Sequence, residues 1–188
     1  MKRLVTPRRT LGILVIVTLS TSSSVRAEDA GRTQSLSFAT GWFDCNRRQD
    51  QAFETRLEYR VGRARRPLRG VAVAALTDDS TLFVGAGVGY QIDLGRRWAV
   101  TPVFVPGYYR KGNGKDLGYS LEFRSQIELG YTLAGGSRVT IAFSHLSNGG
   151  LGSRNPGEES LAIGFELPLA RRGSRPPARG SAGPAKGE

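Results

Sequence analysis

The chain has 188 residues, with 27 Lys and Arg against 16 Asp and Glu, for a formal net charge of +11. This length accommodates one domain with a tail and excludes a large multidomain machine. The 25 glycines argue against a helical bundle, and one His with one Cys excludes a multi-Cys/His zinc site or a disulfide framework.

Residues 1–27 read as a secretory signal peptide. Lys2, Arg3, Arg8 and Arg9 form a basic start, Leu11 to Leu19 is a short apolar core, and Val25-Arg26-Ala27 is a small-x-Ala cleavage site. The apolar run is too short for a bilayer-spanning helix, which needs about 20 residues. No Cys follows the cleavage site directly, which argues against a lipid anchor, and Cys45 stands alone, either as a buried small residue or as an exposed thiol. The signal holds 5 basic residues and the segment 171–188 another 5, leaving the body, 28–170, with 17 basic and 15 acidic residues. The positive charge therefore sits mostly at the two ends, and it does not mark a nucleic-acid-binding domain.

The body alternates with a period of two. In 52–61, Phe53, Thr55, Leu57, Tyr59 and Val61 share one parity, and Ala52, Glu54, Arg56, Glu58 and Arg60 the other. Residues 82–94 set Leu82, Val84, Ala86, Val88, Tyr90, Ile92 and Leu94 opposite Phe83, Gly85, Gly87, Gly89, Gln91 and Asp93. In 119–133, Leu121, Phe123, Ile127, Leu129 and Tyr131 oppose Glu122, Arg124, Gln126 and Glu128. Apolar faces this long, backed by charged ones, suit strands of the roughly 9–11 residues that a bilayer requires, with the apolar side outward. Trp42, Tyr59, Trp98, Tyr108, Tyr109, Tyr119 and Tyr131 near strand ends suit interfacial girdles.

The expected fold is all-β, an eight-stranded antiparallel transmembrane barrel of the outer membrane. Its strands fall near 33–43, 51–61, 68–77, 80–94, 98–109, 117–133, 137–148 and 158–169. An even count places both strand termini in the periplasm and the longer connections outside. Pro102 and Pro106 conflict with strand pairing and suggest a bulge or distorted ladder. A barrel this small fills its interior with side chains, so a wide pore is not expected. The alternative is a secreted β-sandwich or lipocalin-like barrel. The tail, 171–188, is rich in Pro, Gly and Ser and reads as a disordered basic extension.

The chemistry concentrates in the last hairpin. His145 and Ser147 continue the apolar parity of Val139, Ile141 and Phe143, and Glu159 continues that of Leu161, Ile163, Phe165 and Leu167. Three polar groups thus stand on the lipid-facing side, near the extracellular end. With the hairpin centred near Gly152, His145 faces Glu159, and cross-strand partners have Cβ atoms about 4.5–5.5 Å apart. Nucleophile, base and orienter are the parts of acyl transfer: Ser147, His145 and Glu159 in that order. Ser144, Glu158 and Ser160 face the lumen by parity. Asn148 and the Gly150 amide are candidates for an oxyanion hole, in a turn whose Asn-Gly-Gly sequence is also ordinary turn chemistry. The bland reading is a strand end that carries interfacial polar residues.

The stretch HLSNGGLGSRNPGEESLAIGF, together with PVFVPGYY at Pro102–Tyr109 and Leu129-Gly130-Tyr131, closely resembles the lipid A 3-O-deacylase family of outer-membrane enzymes. The resemblance implies an eight-stranded barrel with a membrane-facing triad of Ser147, His145 and Glu159, and an oxyanion position at Asn148 and Gly150. It implies a serine esterase that removes a 3-hydroxyacyl chain from lipid A of lipopolysaccharide, with no cofactor and no metal. Arg110, Lys111, Lys115 and Arg154 would meet the phosphates of the sugar head. The partners are lipopolysaccharide and outer-membrane lipids, not nucleic acid, and a homo-oligomer is left open. Rival readings are a non-catalytic structural or adhesive barrel, and a barrel that transports a hydrophobic ligand through residues such as Gly85, Gly87 and Gln126.

Overall fold

The computed structural model describes residues 31–48 and 50–169. The expected signal peptide and basic tail lie outside the described residues. Nine strand segments follow in order: β1 (Arg32–Phe43), β2 (Ala52–Arg63), β3 (Leu68–Thr77), β4 (Leu82–Tyr90), β5 (Ile92–Leu94), β6 (Trp98–Arg110), β7 (Leu121–Thr132), β8 (Arg138–Ser147) and β9 (Glu158–Pro168). Each pairs antiparallel with its sequence neighbour except that β4 pairs with β6, while β1 also pairs with β9. The sheet therefore closes. β4 and β5 are two pieces of one stave interrupted at Gln91, because their offset to β6 is the same on both sides: Val88 faces Phe104 and Ile92 faces Val100. The result is the eight-staved antiparallel barrel expected from the sequence. Connections 44–51, 78–81, 111–120 and 148–157 form its loop end, and 64–67, 95–97 and 133–137 its turn end.

The period-two pattern decides which way each face points. Phe38, Trp42, Leu57, Val84, Val88, Phe104, Ile127, Ile141, Phe143, Leu161 and Ile163 all stand exposed on the outer wall. The charges go inside, where Glu54, Arg56, Glu58, Arg60, Arg124 and Glu128 are almost fully buried. An apolar wall of this extent on a protein in water would be a strong aggregation surface; against hydrocarbon it is the stabilising side.

Burying charge is costly unless it is paired and hydrogen-bonded, and four buried arginines meet that condition as one network. Arg60 donates to Glu128 over 2.6 and 2.7 Å and to Glu58 over 2.5 Å, and reaches Glu166 at 3.5 Å. Arg56 bridges Glu54 at 3.1 Å and Glu58 at 3.0 Å. Arg124 contacts Glu54 at 3.2 Å and donates to Ser144 Oγ over 2.8 Å, while Arg138 meets Glu166 at 3.3 Å. These four guanidinium groups face four carboxylates, so the network is neutral. Across the lumen, Val71, Val73, Ala75, Phe83, Val103 and Val105 fill the β3–β4–β6 side with apolar bulk.

The proline conflict resolves without a bulge. β6 pairs continuously with β7, with Pro102 facing Ile127 and Pro106 facing Phe123. Residues of one parity aim their amides at the same neighbouring strand, and both prolines lack that donor on the β4–β5 side. The β4–β6 ladder accordingly skips between Gly85–Gly107 and Val88–Phe104, and again between Gly89–Val103 and Ile92–Val100, with no change of register. The backbones close up at the first gap: a Cβ on Gly87 would fall 2.0 Å from the Phe104 carbonyl oxygen.

Two expectations need correction. Residues 117–120 belong to the loop before β7, not to the strand, and Leu117 is fully buried in the mouth of the barrel. Tyr109 is not a girdle residue. Its neighbour Tyr108 takes the outward position, and Tyr109 points inward, where its hydroxyl donates to the Lys115 carbonyl over 2.6 Å.

Replacing Arg60 with Ala leaves Glu58, Glu128 and Glu166 without their shared cation. The expected loss is about 3–5 kcal/mol, as for other broken buried pairs. Urea unfolding from lipid vesicles, followed by circular dichroism, checks this; an unchanged midpoint would mean that the network is dispensable.

Candidate active site

Three loops and one hairpin build the site. β8 and β9 pair so that His145 faces Glu159 and Phe143 faces Leu161. The ring nitrogen His145 Nδ1 lies 3.1 Å from Glu159 Oε1. The two side chains are 44% and 26% exposed, so the pair stands on the outer wall and not in the lumen. Ser147 follows on the same face and lies beside Phe123 of β7. Two residues along one strand correspond to a rise of roughly 6.5–7 Å, and no hydrogen bond joins Ser147 to His145 among the described residues. Ser144, Glu158 and Ser160 are buried inside the barrel, as their parity requires.

Glu159 is held from its other side by a residue that the strand pattern does not reveal. Asn46, in the 44–51 loop, donates through Nδ2 to Glu159 Oε2, which leaves Oε1 for His145. The same loop is anchored to β9 by Cys45 N donating to the Glu159 carbonyl over 2.7 Å, and by Asp44 N donating to Glu158 Oε2 over 3.2 Å. Gly157 provides the space for the imidazole. It sits in the left-handed region at φ 61°, and a Cβ there would lie 2.9 Å from His145 Cε1. The Asn-Pro-Gly sequence carried a signal for Gly157; Asn46 carried none, since it meets Glu159 across 113 residues of chain.

Asn148 is fully buried and organises the mouth. Its Nδ2 donates to the carbonyls of Leu117 and Arg154, both over 2.9 Å, and its Oδ1 accepts the Gly150 amide over 2.9 Å. Asn148 and Gly150 thus lie in the turn directly after Ser147, with their donors engaged inside the protein. Lys115 does not stand among exposed phosphate ligands. It is buried and bound to Asp44 Oδ1 at 2.7 Å, because Leu117 draws this part of the loop into the barrel mouth. Lys111 and Arg154 are exposed and converge on Asp116 Oδ2, at 3.3 and 2.6 Å. The Gly118 amide, then Lys111, holds the Asp116 carboxyl below the usual carboxylate range. Arg110 is exposed at the end of β6.

Cys45 is partly exposed. Burial, then the charge of Glu158, pushes its thiol up, which disfavours the reactive thiolate. No group of three or more His, Cys, Asp or Glu among the described residues could hold a metal ion.

Solved structures resemble this barrel. The crystal structure of the outer membrane enzyme PagL is 21% identical, with a TM-score of 0.54, covering 72% of this chain and 99% of that one. Neisserial surface protein A is 12% identical at a TM-score of 0.52, covering 73% and 97%. A designed transmembrane β-barrel is 12% identical at 0.51, covering 73% and 95%. These likenesses establish the fold. No curated protein matches the sequence. The model of the family described as lipid A 3-O-deacylase (PagL) matches residues 70–168, which span β3 to β9 and include the whole last hairpin. The chain therefore belongs to the lipid A 3-O-deacylase (PagL) family of outer-membrane barrel enzymes.

Proposed function

We propose that this protein is a serine esterase that removes the 3-O-linked acyl chain of lipid A, with Ser147 as nucleophile, His145 as general base and Glu159 as the residue that orients the imidazole. The observation that carries this reading is the His145–Glu159 pair at 3.1 Å on the lipid-facing wall, one step along the same face from Ser147. Glu159 accepts the proton on Nδ1, and that tautomer leaves the Nε2 lone pair free to act as base. The gap beside Gly157 keeps the imidazole unobstructed.

Ser147 rotates toward Nε2 as substrate arrives; catalytic hydrogen bonds are often long in empty sites. Its Oγ attacks the ester carbon while Nε2 takes the hydroxyl proton. The tetrahedral oxyanion collapses by breaking the bond to the sugar oxygen, which receives the proton from His145. Water then attacks the acyl-enzyme by the same route and releases the 3-hydroxy fatty acid, restoring Ser147. The oxyanion is met by the turn at Asn148 and Gly150, whose amide exchanges Asn148 Oδ1 for the substrate oxygen. The acyl chain lies along the outer wall, over the stacked rings of Phe104 and Phe123 at 6.0 Å and toward Phe143. Lys111, Arg154 and Arg110 are placed for the phosphates of the head, in competition with Asp116. A site that opens on lipid suits a substrate resident in the membrane.

Mass spectra of lipid A from cells expressing this protein should lose one 3-hydroxyacyl chain from the 3-position, and cells expressing the Ser147→Ala variant should keep it. Equal spectra from two folded proteins would favour the non-catalytic barrel.

Asn46→Ala releases one oxygen of Glu159. A hydrogen bond to a charged group contributes about 1.5–3 kcal/mol, so kcat on detergent-solubilised lipopolysaccharide should fall by about tenfold or more. KM should stay unchanged, since Asn46 bonds Glu159 behind the imidazole and not the acyl-chain wall. A raised KM at constant kcat would instead assign Asn46 to substrate binding.

A further inference from the structure

The turn end, opposite the site, carries a sector of positive charge that the deacylation chemistry does not use. Residues 62–70 and 90–98 hold six arginines against a single acidic residue, Asp93. Arg65 and Arg66 lie in the β2–β3 turn and Arg96 and Arg97 in the β5–β6 turn, all exposed. Gln91 N donates to the Pro67 carbonyl over 2.9 Å and joins the two turns into one edge. The third turn, 133–137, carries no charge, so the arginines occupy a sector and do not ring the barrel.

The surroundings of this sector identify its partner. Directly beside the arginines the outer wall presents Leu68, Tyr90, Ile92, Leu94 and Trp98, each 43–57% exposed. Trp98 packs against Tyr131 with ring centroids 4.9 Å apart. Arg97 lies 5.9 Å over the Tyr131 ring, and its Nη1 donates to the tyrosine hydroxyl over 2.8 Å. Guanidinium groups level with an aromatic belt, at the edge of a hydrocarbon-facing wall, sit where lipid headgroups begin. Their planar forks match phosphate oxygens. At the loop end, by contrast, Lys111 and Arg154 are drawn onto Asp116.

We propose that this arginine sector binds the phosphates of anionic phospholipids in the leaflet that surrounds the turn end. Arg65, Arg66, Arg96 and Arg97 supply the charge, and Trp98 with Tyr131 sets their depth. This inference is independent of the triad, because it would hold for a barrel with no activity.

The chain has two tryptophans, so Trp42→Phe leaves Trp98 as the reporter within the sector. The protein is reconstituted into phosphatidylcholine vesicles, and quenching of Trp98 by brominated phosphatidylglycerol is compared with quenching by brominated phosphatidylcholine. Phosphatidylglycerol should be enriched at Trp98 by at least about threefold, since a single arginine near an anionic surface can contribute about fivefold. The enrichment should fall by at least about twofold in a variant carrying Arg65→Asn, Arg66→Gln and Arg96→Gln, which keeps Arg97 alone of the four. It should also weaken at high salt. The three substituted side chains make no hydrogen bond or ion pair among the described residues, and Asn tolerates the left-handed backbone of Arg65 at φ 63°; circular dichroism verifies the fold. No enrichment in the parent, or the same enrichment in the variant, would overturn the proposal. So would binding of a polyglutamate peptide to the parent that phosphatidylglycerol fails to displace, which would assign the sector to an acidic protein.

Discussion

Closure of the sheet is the constraint on which the rest of this protein depends. Within hydrocarbon no water satisfies a backbone amide, so a strand can cross only if both of its edges are paired. The β4–β6 pairing removes the last two edges, and it does so across two prolines that cannot donate. The glycines of β4 let the backbones approach there, and the ladder skips positions without losing register. Once the sheet is closed, alternate side chains face hydrocarbon and lumen, and the usual arrangement of polar and apolar groups is reversed. The interior must then take the charges, and its arginines lie in a network where each guanidinium meets a carboxylate.

The residues of the proposed triad stand out because they break this rule. His145, Ser147 and Glu159 are polar groups on the outward parity, where their strand neighbours are Phe143 and Leu161. They are tolerated at the loop end, near headgroups and water, and would be costly at mid-bilayer depth. The loops that surround them bind inward and outward at once. Asp44 meets Lys115 and Glu158 in the mouth, while its near neighbour Asn46 meets Glu159 on the wall. The position of Glu159 is thereby tied to the packing of the barrel mouth, and Asn148 ties the turn after Ser147 to the same place.

What could be read from the sequence follows from which contacts are local. A period of two survives in sequence, so the outward faces of β2, β4 and β7 were legible, and so was the register that sets His145 against Glu159 across one short hairpin. The role of Asn46 was not legible, because no local pattern links it to a residue 113 positions away. The place of Lys115 is not legible for a related reason. Its charge suggests solvent, whereas the burial of Leu117 draws it inside to Asp44. Tyr109 has the composition of a girdle aromatic, but only one of two adjacent tyrosines on a strand can face the lipid, and Tyr108 takes that position. The prolines signalled a disturbance in β6, but its form depended on which neighbour their missing amides faced.

The central claim is that Ser147 is an activated nucleophile on the membrane-facing wall. A long-chain alkyl fluorophosphonate, delivered in lipid vesicles to the folded protein and located by peptide mass spectrometry, tests it most directly. The account predicts a covalent adduct on Ser147 that forms in the wild type and is lost in the His145→Ala variant. Absence of any adduct on the folded wild type, or labelling of Ser147 that is equally fast without His145, would contradict it.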